Sequence, residues 1–297
     1  MDAIINVNGR ITGQRDAVIS VLDHGFLYGE GIYEVVRTYD SRPFLLDRHL
    51  RRLRRSAAMI ALRLPFTDAE LVARVRETIA ALHREPGVHQ DRDVYIRILI
   101  TRGVGEMTYD PEPCDAPSLV VIVKPFTSPP PDIYEKGVRV ALVPIVRNHP
   151  SSVNPLIKSN NLLNNALAAQ EAFRRGAFDA VMRNYRGEIS ECSTSNLFVF
   201  RDGALLTPPL EAGLLAGITR EFVLELAPEA GIAAREVALR DPDLLGAEES
   251  FLTSSTREIV PIVGVDDAVI GSGRPGPVTG RLRALFRRKA EALASWG

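Results

Sequence analysis

Lys124-Pro-Phe-Thr-Ser-Pro-Pro-Pro-Asp132 is the stretch on which the fold turns. Prolines at 125, 129, 130 and 131 remove backbone donors and resist both helix interiors and central strands, so the segment reads as a rigid, extended linker. It divides the 297 residues into an N-terminal α/β domain over 1–123, an interdomain loop over 124–132 and a C-terminal domain over 133–297. That length suits two medium domains.

On the N-terminal side, Ile4–Val7 and Arg10–Thr12 flank Asn8-Gly9 and predict a hairpin. Gly31–Tyr39 is β-branched and aromatic and predicts a strand, with 43–46 as its returning partner. Asp47 caps a helix to about Ile60, carrying Leu50, Leu53 and Ala57 at helical spacing. Thr67-Asp68 opens a second helix to about His83. Val94–Thr101 and Ser118–Val123 predict two more strands. Beyond the linker, strands are expected at 138–146, 180–182, 188–191, 197–200 and 250–253. Helices are expected at 160–174, from 217 to about Pro228, and at 280–295. The 160–174 helix carries Leu162, Leu163, Ala166, Leu167 and Phe173 as its apolar positions. The mixture is α+β and lacks a regular strand–helix alternation.

Composition narrows the function. Net charge is −1, which argues against a general nucleic-acid or membrane-surface role. No apolar run approaches membrane-spanning length, and 1–15 lacks the apolar core of a signal peptide, so the cytosol is expected. Cys114 and Cys192 make neither a disulfide framework nor a metal cluster, and His24 and His49 lack metal-ligand spacing. No metal is expected. There is no Gly-x-Ser-x-Gly elbow and no dinucleotide fingerprint.

Lys158 stands out because lysine is scarce. Only Lys124, Lys136, Lys158 and Lys289 occur among 36 basic residues. A lysine amine can lose its proton and attack a carbonyl, which a guanidinium cannot do. On scarcity alone, Lys158 is an ordinary loop cation. Three polar clusters accompany it along the chain: 23–33, 188–196 and 253–256. Hydroxyls, glycines and the helix start at Gly217-Ile218-Thr219 suit an anion site, although such residues also make ordinary turns and caps. The arginines at 48, 51, 52, 54 and 55 read as the solvated face of a helix, and Arg52 lies off the Leu50/Leu53/Ala57 stripe.

Taken as a set, six motifs resemble the class IV pyridoxal-phosphate aminotransferases over nearly the whole chain. They are Asp-His-Gly-x-x-Tyr-Gly-x-Gly-x-Tyr-Glu (23–34), Arg-His-x-x-Arg-Leu-x-x-Ser-Ala (48–57), Lys-Ser-x-Asn (158–161), Gly-x-Ile-Ser-Glu-x-x-x-x-Asn-Leu-Phe (187–198), Leu-x-Gly-Ile-Thr-Arg (215–220) and Thr-Ser-Ser-Thr-x-Glu-Ile-x-Pro-Ile (253–262). The group includes branched-chain and D-amino acid aminotransferases, R-selective amine transaminases and aminodeoxychorismate lyases. The resemblance implies a two-domain fold of the D-amino acid aminotransferase type (fold type IV), pyridoxal 5′-phosphate as cofactor and a homodimer. It implies that Lys158 bonds the cofactor aldehyde and shuttles protons, and that Glu191 pairs with the pyridine nitrogen. Arg52, Ile218, Thr219 and Ser255, with Ser254 as a near-equal candidate, would hold the phosphate, and Asn196 belongs to the cofactor-binding set. Tyr28, Tyr33, Arg37, Tyr95 and Arg97 would line the substrate site.

Tyr95-Ile96-Arg97 matches a branched-chain pattern. Met107-Thr108-Tyr109 stands where D-amino acid enzymes carry Arg-x-His. Leu162 and Leu163, in contrast, stand as in the D-amino acid group, where branched-chain enzymes often have a tyrosine. The implied reaction moves an amino group from an amino acid, with a branched-chain one expected first, to 2-oxoglutarate. A D-amino acid or R-amine transaminase, or a lyase on the same cofactor, is the alternative. Outside the enzymes, a cofactor-binding scaffold without turnover is the rival.

Overall fold

The computed structural model describes residues 3–89 and 91–296. It resolves into two compact units. One comprises Met1–Thr127, Ile157–Asn161 and Ala290–Gly297; the other comprises Ser128–Leu156 and Leu162–Lys289.

The first unit opens with the hairpin β1 (Ile4–Val7) and β2 (Arg10–Gly13), followed by a short helix α1 (His24–Leu27). Then come β3 (Gly31–Tyr39), β4 (Arg42–Pro43), α2 (Leu46–Met59), α3 (Asp68–Leu82), β5 (Val94–Thr101) and β6 (Ser118–Pro125). The strands form one sheet in the order β2-β1-β6-β5-β3-β4. Strand alternation explains its two faces. Ile96, Ile98 and Ile100 of β5 are fully buried, in one core with Ile32 and Val36 of β3, Leu46, Leu50 and Leu53 of α2, and Leu71, Val75, Ile79 and Leu82 of α3. Each such side chain contributes about 1.5–3 kcal/mol on burial. α3 starts on a capping box in which Thr67 and Glu70 exchange side-chain and backbone bonds.

Two local expectations change here. The return from β3 is confined to Arg42–Pro43, because Leu45 turns left-handed (φ 50°) and delivers the chain into α2 at Leu46. Asp47 therefore lies in the first turn and is not the cap.

The second unit contains α4 (Asp132–Glu135), β7 (Val138–Val146), α5 (Leu163–Arg174), β8 (Ala180–Arg183), β9 (Ile189–Cys192), β10 (Asn196–Arg201) and β11 (Ala204–Thr207). It continues with α6 (Ile218–Glu229), β12 (Ala233–Glu236), α7 (Asp241–Leu245), β13 (Glu249–Ser254), β14 (Glu258–Val265) and β15 (Ala268–Val269). Helix α8 runs Pro277–Leu293. The sheet order is β12-β11-β10-β13-β14-β7-β8-β9, with β15 on β14. Helix α5 departs from its expected apolar face. Ala168 and Ala172 are buried beside Ala141, Ala180 and Met182, whereas Leu163, Leu167 and Phe173 stay exposed. Small residues let the helix approach β7 and β8 closely.

The linker expectation is also revised. Lys124 and Pro125 pair with Tyr95 and Val94 inside the sheet, and Asp132 begins α4, so the extended segment is shorter than 124–132. The stretch over 133–297 is not one continuous unit. Residues 157–161 join the first unit because their backbone pairs with the start of β3, and Ile157 and Trp296 pack on its core. No helix among the described residues is long and apolar enough to cross a membrane.

Candidate active site

In the first unit the backbone of Lys158 is fixed from two sides. The Tyr33 N–H donates to Lys158 O at 2.9 Å, and the Lys158 N–H donates to Ser56 Oγ on α2 at 3.1 Å. The Asn160 N–H donates to Gly31 O at 2.9 Å. The lysine Nζ then stands 4.5 Å from the centre of the Tyr33 ring, and among the described residues no carboxylate pairs with it. The Arg97 guanidinium also lies over the Tyr33 ring, at 4.1 Å. Register explains the grouping. Tyr33 pairs with Leu99, Val35 with Arg97 and Arg37 with Tyr95, so these side chains share the face of β3 and β5 opposite Ile32, Ile96 and Ile98.

The other expected substrate residues divide. Tyr95 shares that face, with the Lys124 ammonium 5.1 Å over its ring. Arg37 is buried, its guanidinium 4.1 Å from the Tyr39 ring and 3.9 Å from the Phe126 ring, and it pairs with Asp93 at 3.8 Å. Packing and ion pairing thus account for Arg37. Tyr28 ends α1 and packs against His24 and Tyr109.

Arg52 corrects the expectation of a solvated arginine face. Arg51 and Arg55 are exposed, but Arg52 is buried on the same side of α2 as His49 and Ser56. Its Nε and Nη2 donate to the two carboxylate oxygens of Glu34 at 2.7 and 2.8 Å. His49 Nδ1 meets Glu34 Oε2 at 2.7 Å. Burial alone would raise the Glu34 carboxyl, but the charges and hydrogen bonds of Arg52 and His49 outweigh it and hold the group well below the usual carboxylate range. Burial lowers His49 from 6.5, and the pull of Glu34 only partly offsets this. The imidazole is therefore neutral at neutral pH and donates its Nδ1–H.

The second unit builds a cluster around Glu191, on a β9 strand buried throughout. Arg147 Nε donates to Glu191 Oε1 at 2.8 Å, and the Leu215 N–H donates to Oε2 at 3.0 Å. Asn196 Nδ2 lies 3.3 Å from the same Oε2 and donates to Leu215 O at 3.0 Å, so Asn196 fastens the loop before α6 to the carboxylate. Gly217 follows in that loop, and a Cβ there would stand 1.9 Å from Asn196 Oδ1. Helix α6 begins immediately after, with no side-chain cap, at buried Ile218 and Thr219. Across the ladder from Asn196 lies Thr253, whose hydroxyl is buried without a partner, followed by half-buried Ser254 and Ser255. Ser254 Oγ accepts from Arg257 Nε at 3.4 Å, and Arg257 also contacts Asp179, Thr194 and Ser195.

The sequence-predicted residues therefore gather into two sets. Lys158, Tyr33, Tyr95, Arg97 and Arg52 belong to the first unit, and Glu191, Asn196, Ile218, Thr219, Ser254 and Ser255 to the second. Sequence reading missed Glu34 and Arg147. Glu34 carried a usable signal, because strand alternation places it between Ile32 and Val36 on the buried face. Arg147 carried none.

The second unit thus carries a buried strand carboxylate held by arginine and a helix start without a side-chain cap, and the first unit carries a lysine fixed by its backbone. The family model for class IV amino-transferases matches residues 31–265. A relative from Methanocaldococcus jannaschii, named as a candidate branched-chain-amino-acid aminotransferase, is 37% identical over 293 residues, covering 99% of this chain and 97% of the relative. The D-alanine aminotransferase of Bacillus licheniformis is 33% identical over 280 residues, covering 94% of each. The solved branched-chain amino acid aminotransferase from Escherichia coli matches with a TM-score of 0.89 at 30% identity, covering 100% of this chain and 98% of that one. The chain belongs to the class IV aminotransferases, which use pyridoxal 5′-phosphate, and it has the fold of the branched-chain enzymes.

Proposed function

We propose that this aminotransferase moves the amino group of a branched-chain L-amino acid to 2-oxoglutarate with pyridoxal 5′-phosphate as cofactor. The residues fit that cofactor. Among the described residues, Lys158 offers an amine not engaged by a carboxylate, Glu191 a buried carboxylate, Thr253 a buried hydroxyl without a partner, and α6 a start without a side-chain cap. Pyridoxal 5′-phosphate supplies an aldehyde that takes the amino group and a ring that accepts the electron pair left on the substrate carbon. Lys158 would bond the aldehyde and, once displaced by the amino acid, carry the proton to and from Cα. Glu191 would hold a proton on the ring nitrogen, with Arg147 and the Leu215 N–H fixing the carboxylate. Ile218, Thr219, Ser254, Ser255 and Arg52 would bind the phosphate, and Asn196 would brace the loop that leads to them.

The observation that carries the substrate reading is the shared face of Tyr33, Tyr95 and Arg97, with Lys158 Nζ over the Tyr33 ring. Arg97 is the cation suited to a substrate carboxylate there. The M. jannaschii and E. coli proteins, by their names, favour branched-chain substrates. The D-alanine reading is the second one, supported by the B. licheniformis relative and by Leu162 and Leu163. We further infer a homodimer working in the cytosol, with exposed Leu163, Leu167 and Phe173 as surface for the second copy. Turnover of L-leucine, D-alanine and an R-amine against 2-oxoglutarate decides the substrate. Preference for L-leucine supports the proposal, and exclusive use of D-alanine or the amine overturns it.

A further inference from the structure

We propose that Glu34 is a positioning residue for anion binding by Arg52, with His49 as its brace. The inference rests on the reading of Arg52 as a phosphate ligand and extends it to residues that reading does not include.

Arginine has five N–H donors in a planar fork. Here Glu34 takes two of them, at Nε and Nη2, in a bidentate pair. That arrangement fixes the plane of the guanidinium as well as its position. An unbraced arginine on a helix retains many rotamers, and a bound anion must then supply the ordering. Glu34 is itself immobilised. It projects from the middle of β3, is fully buried, and has His49 on Oε2. His49 and Arg52 lie three residues apart on α2, so one carboxylate ties two points on the helix to the strand. The ionised carboxylate and neutral imidazole argued above are the protonation states this arrangement needs. Glu34 also offsets the arginine charge, which lets a cation remain buried until a phosphate arrives.

The next turn of the helix holds Lys158. Ser56, which accepts the Lys158 N–H, follows Arg52 by one turn. The strand–helix tie made by Glu34 therefore keeps α2 in the register that both residues require.

The test compares pyridoxal 5′-phosphate with pyridoxal, which lacks the phosphate, by spectroscopic titration of the full chain freed of cofactor. The quantity read is the ratio of the two affinities. Arg52→Met should lower that ratio about 10- to 100-fold, the size of a lost charge-assisted contact. Glu34→Asp keeps the charge but shortens the reach, and should lower the ratio about 10-fold while pyridoxal affinity stays within about two-fold. In the Arg52→Met background, Glu34→Gln should have no further effect on the ratio, and that double variant leaves no uncompensated buried charge. His49→Leu keeps the ion pair and carries the test should Glu34→Asp not fold; it should lower the ratio about three-fold. If Arg52→Met changes the ratio and the Glu34 and His49 variants do not, the proposal is overturned. If Arg52→Met itself leaves the ratio unchanged, the phosphate reading of Arg52 falls instead.

Discussion

Each unit buries an arginine–glutamate pair, and the two pairs are assembled in opposite senses. In the first unit, Glu34 spends both oxygens on Arg52 and His49, so the carboxylate is the support and the arginine is the group supported. In the second, Arg147 gives one bond to Glu191 Oε1, while Oε2 is met by Asn196 and the Leu215 N–H. There the arginine is the support. In the proposed roles, the same ion pair prepares a site for an anion in one unit and for a protonated ring nitrogen in the other, depending on which partner its neighbours enclose. Neither pair is best understood as a source of stability, because desolvation offsets much of the attraction of buried charges.

Four substitutions probe this contrast. The largest effect is expected at Glu191. Glu191→Gln should lower kcat about 100- to 1000-fold, the range for loss of a group engaged in the transition state. Steady-state kinetics at saturating cofactor check it, and an unchanged kcat would remove Glu191 from the chemistry. Next is Arg97, where substitution by Met should raise KM for the amino acid about 10- to 100-fold with a smaller change in kcat. A pure kcat defect would detach Arg97 from substrate binding. Arg147→Met should lower kcat about 10-fold while leaving the ratio of pyridoxal 5′-phosphate to pyridoxal affinity unchanged. A change in that ratio would erase the distinction between the two pairs.

The smallest effect concerns stability. An unfolded histidine takes up a proton near pH 6.5, whereas folded His49 resists it because its value is lowered. The neutral imidazole thus contributes stability above that pH and loses it as pH falls through the folded value. Glu34 has the same sign, but its loss lies in strong acid; His83, also lowered by burial, shares the window from about pH 7.5 to 5.5, so the difference from a His49 variant isolates His49. Wild type should lose on the order of 1 kcal/mol relative to His49→Gln across that window, measured by denaturant melts. A gap independent of pH would contradict a neutral His49.

The contrast also shows what could be read from the sequence. β3, β5 and the capped α3 were legible because strand alternation and capping chemistry are local properties. Lys158 and Glu191 were singled out as candidates by motifs that resemble a family, and composition alone left Lys158 an ordinary loop cation. The return of 157–161 to β3 was not legible, because it depends on pairing between segments far apart in the chain. Arg147 followed an apolar strand with no pattern around it. Strand β14 escaped because Pro261 interrupts its local signal, although the strand pairs with β13 on one side and β7 on the other. On α5 the large apolar residues misled, since the buried contacts are made by alanines.

Both pairs matter only if Lys158 is the residue that bonds the cofactor. With only Lys124, Lys136, Lys158 and Lys289 in the chain, one measurement addresses it directly. The protein is loaded with pyridoxal 5′-phosphate, reduced with borohydride, digested and mapped by mass spectrometry. A phosphopyridoxyl label is expected on the peptide containing Lys158, and no label in Lys158→Ala. A label on another lysine, or none after loading, would contradict it.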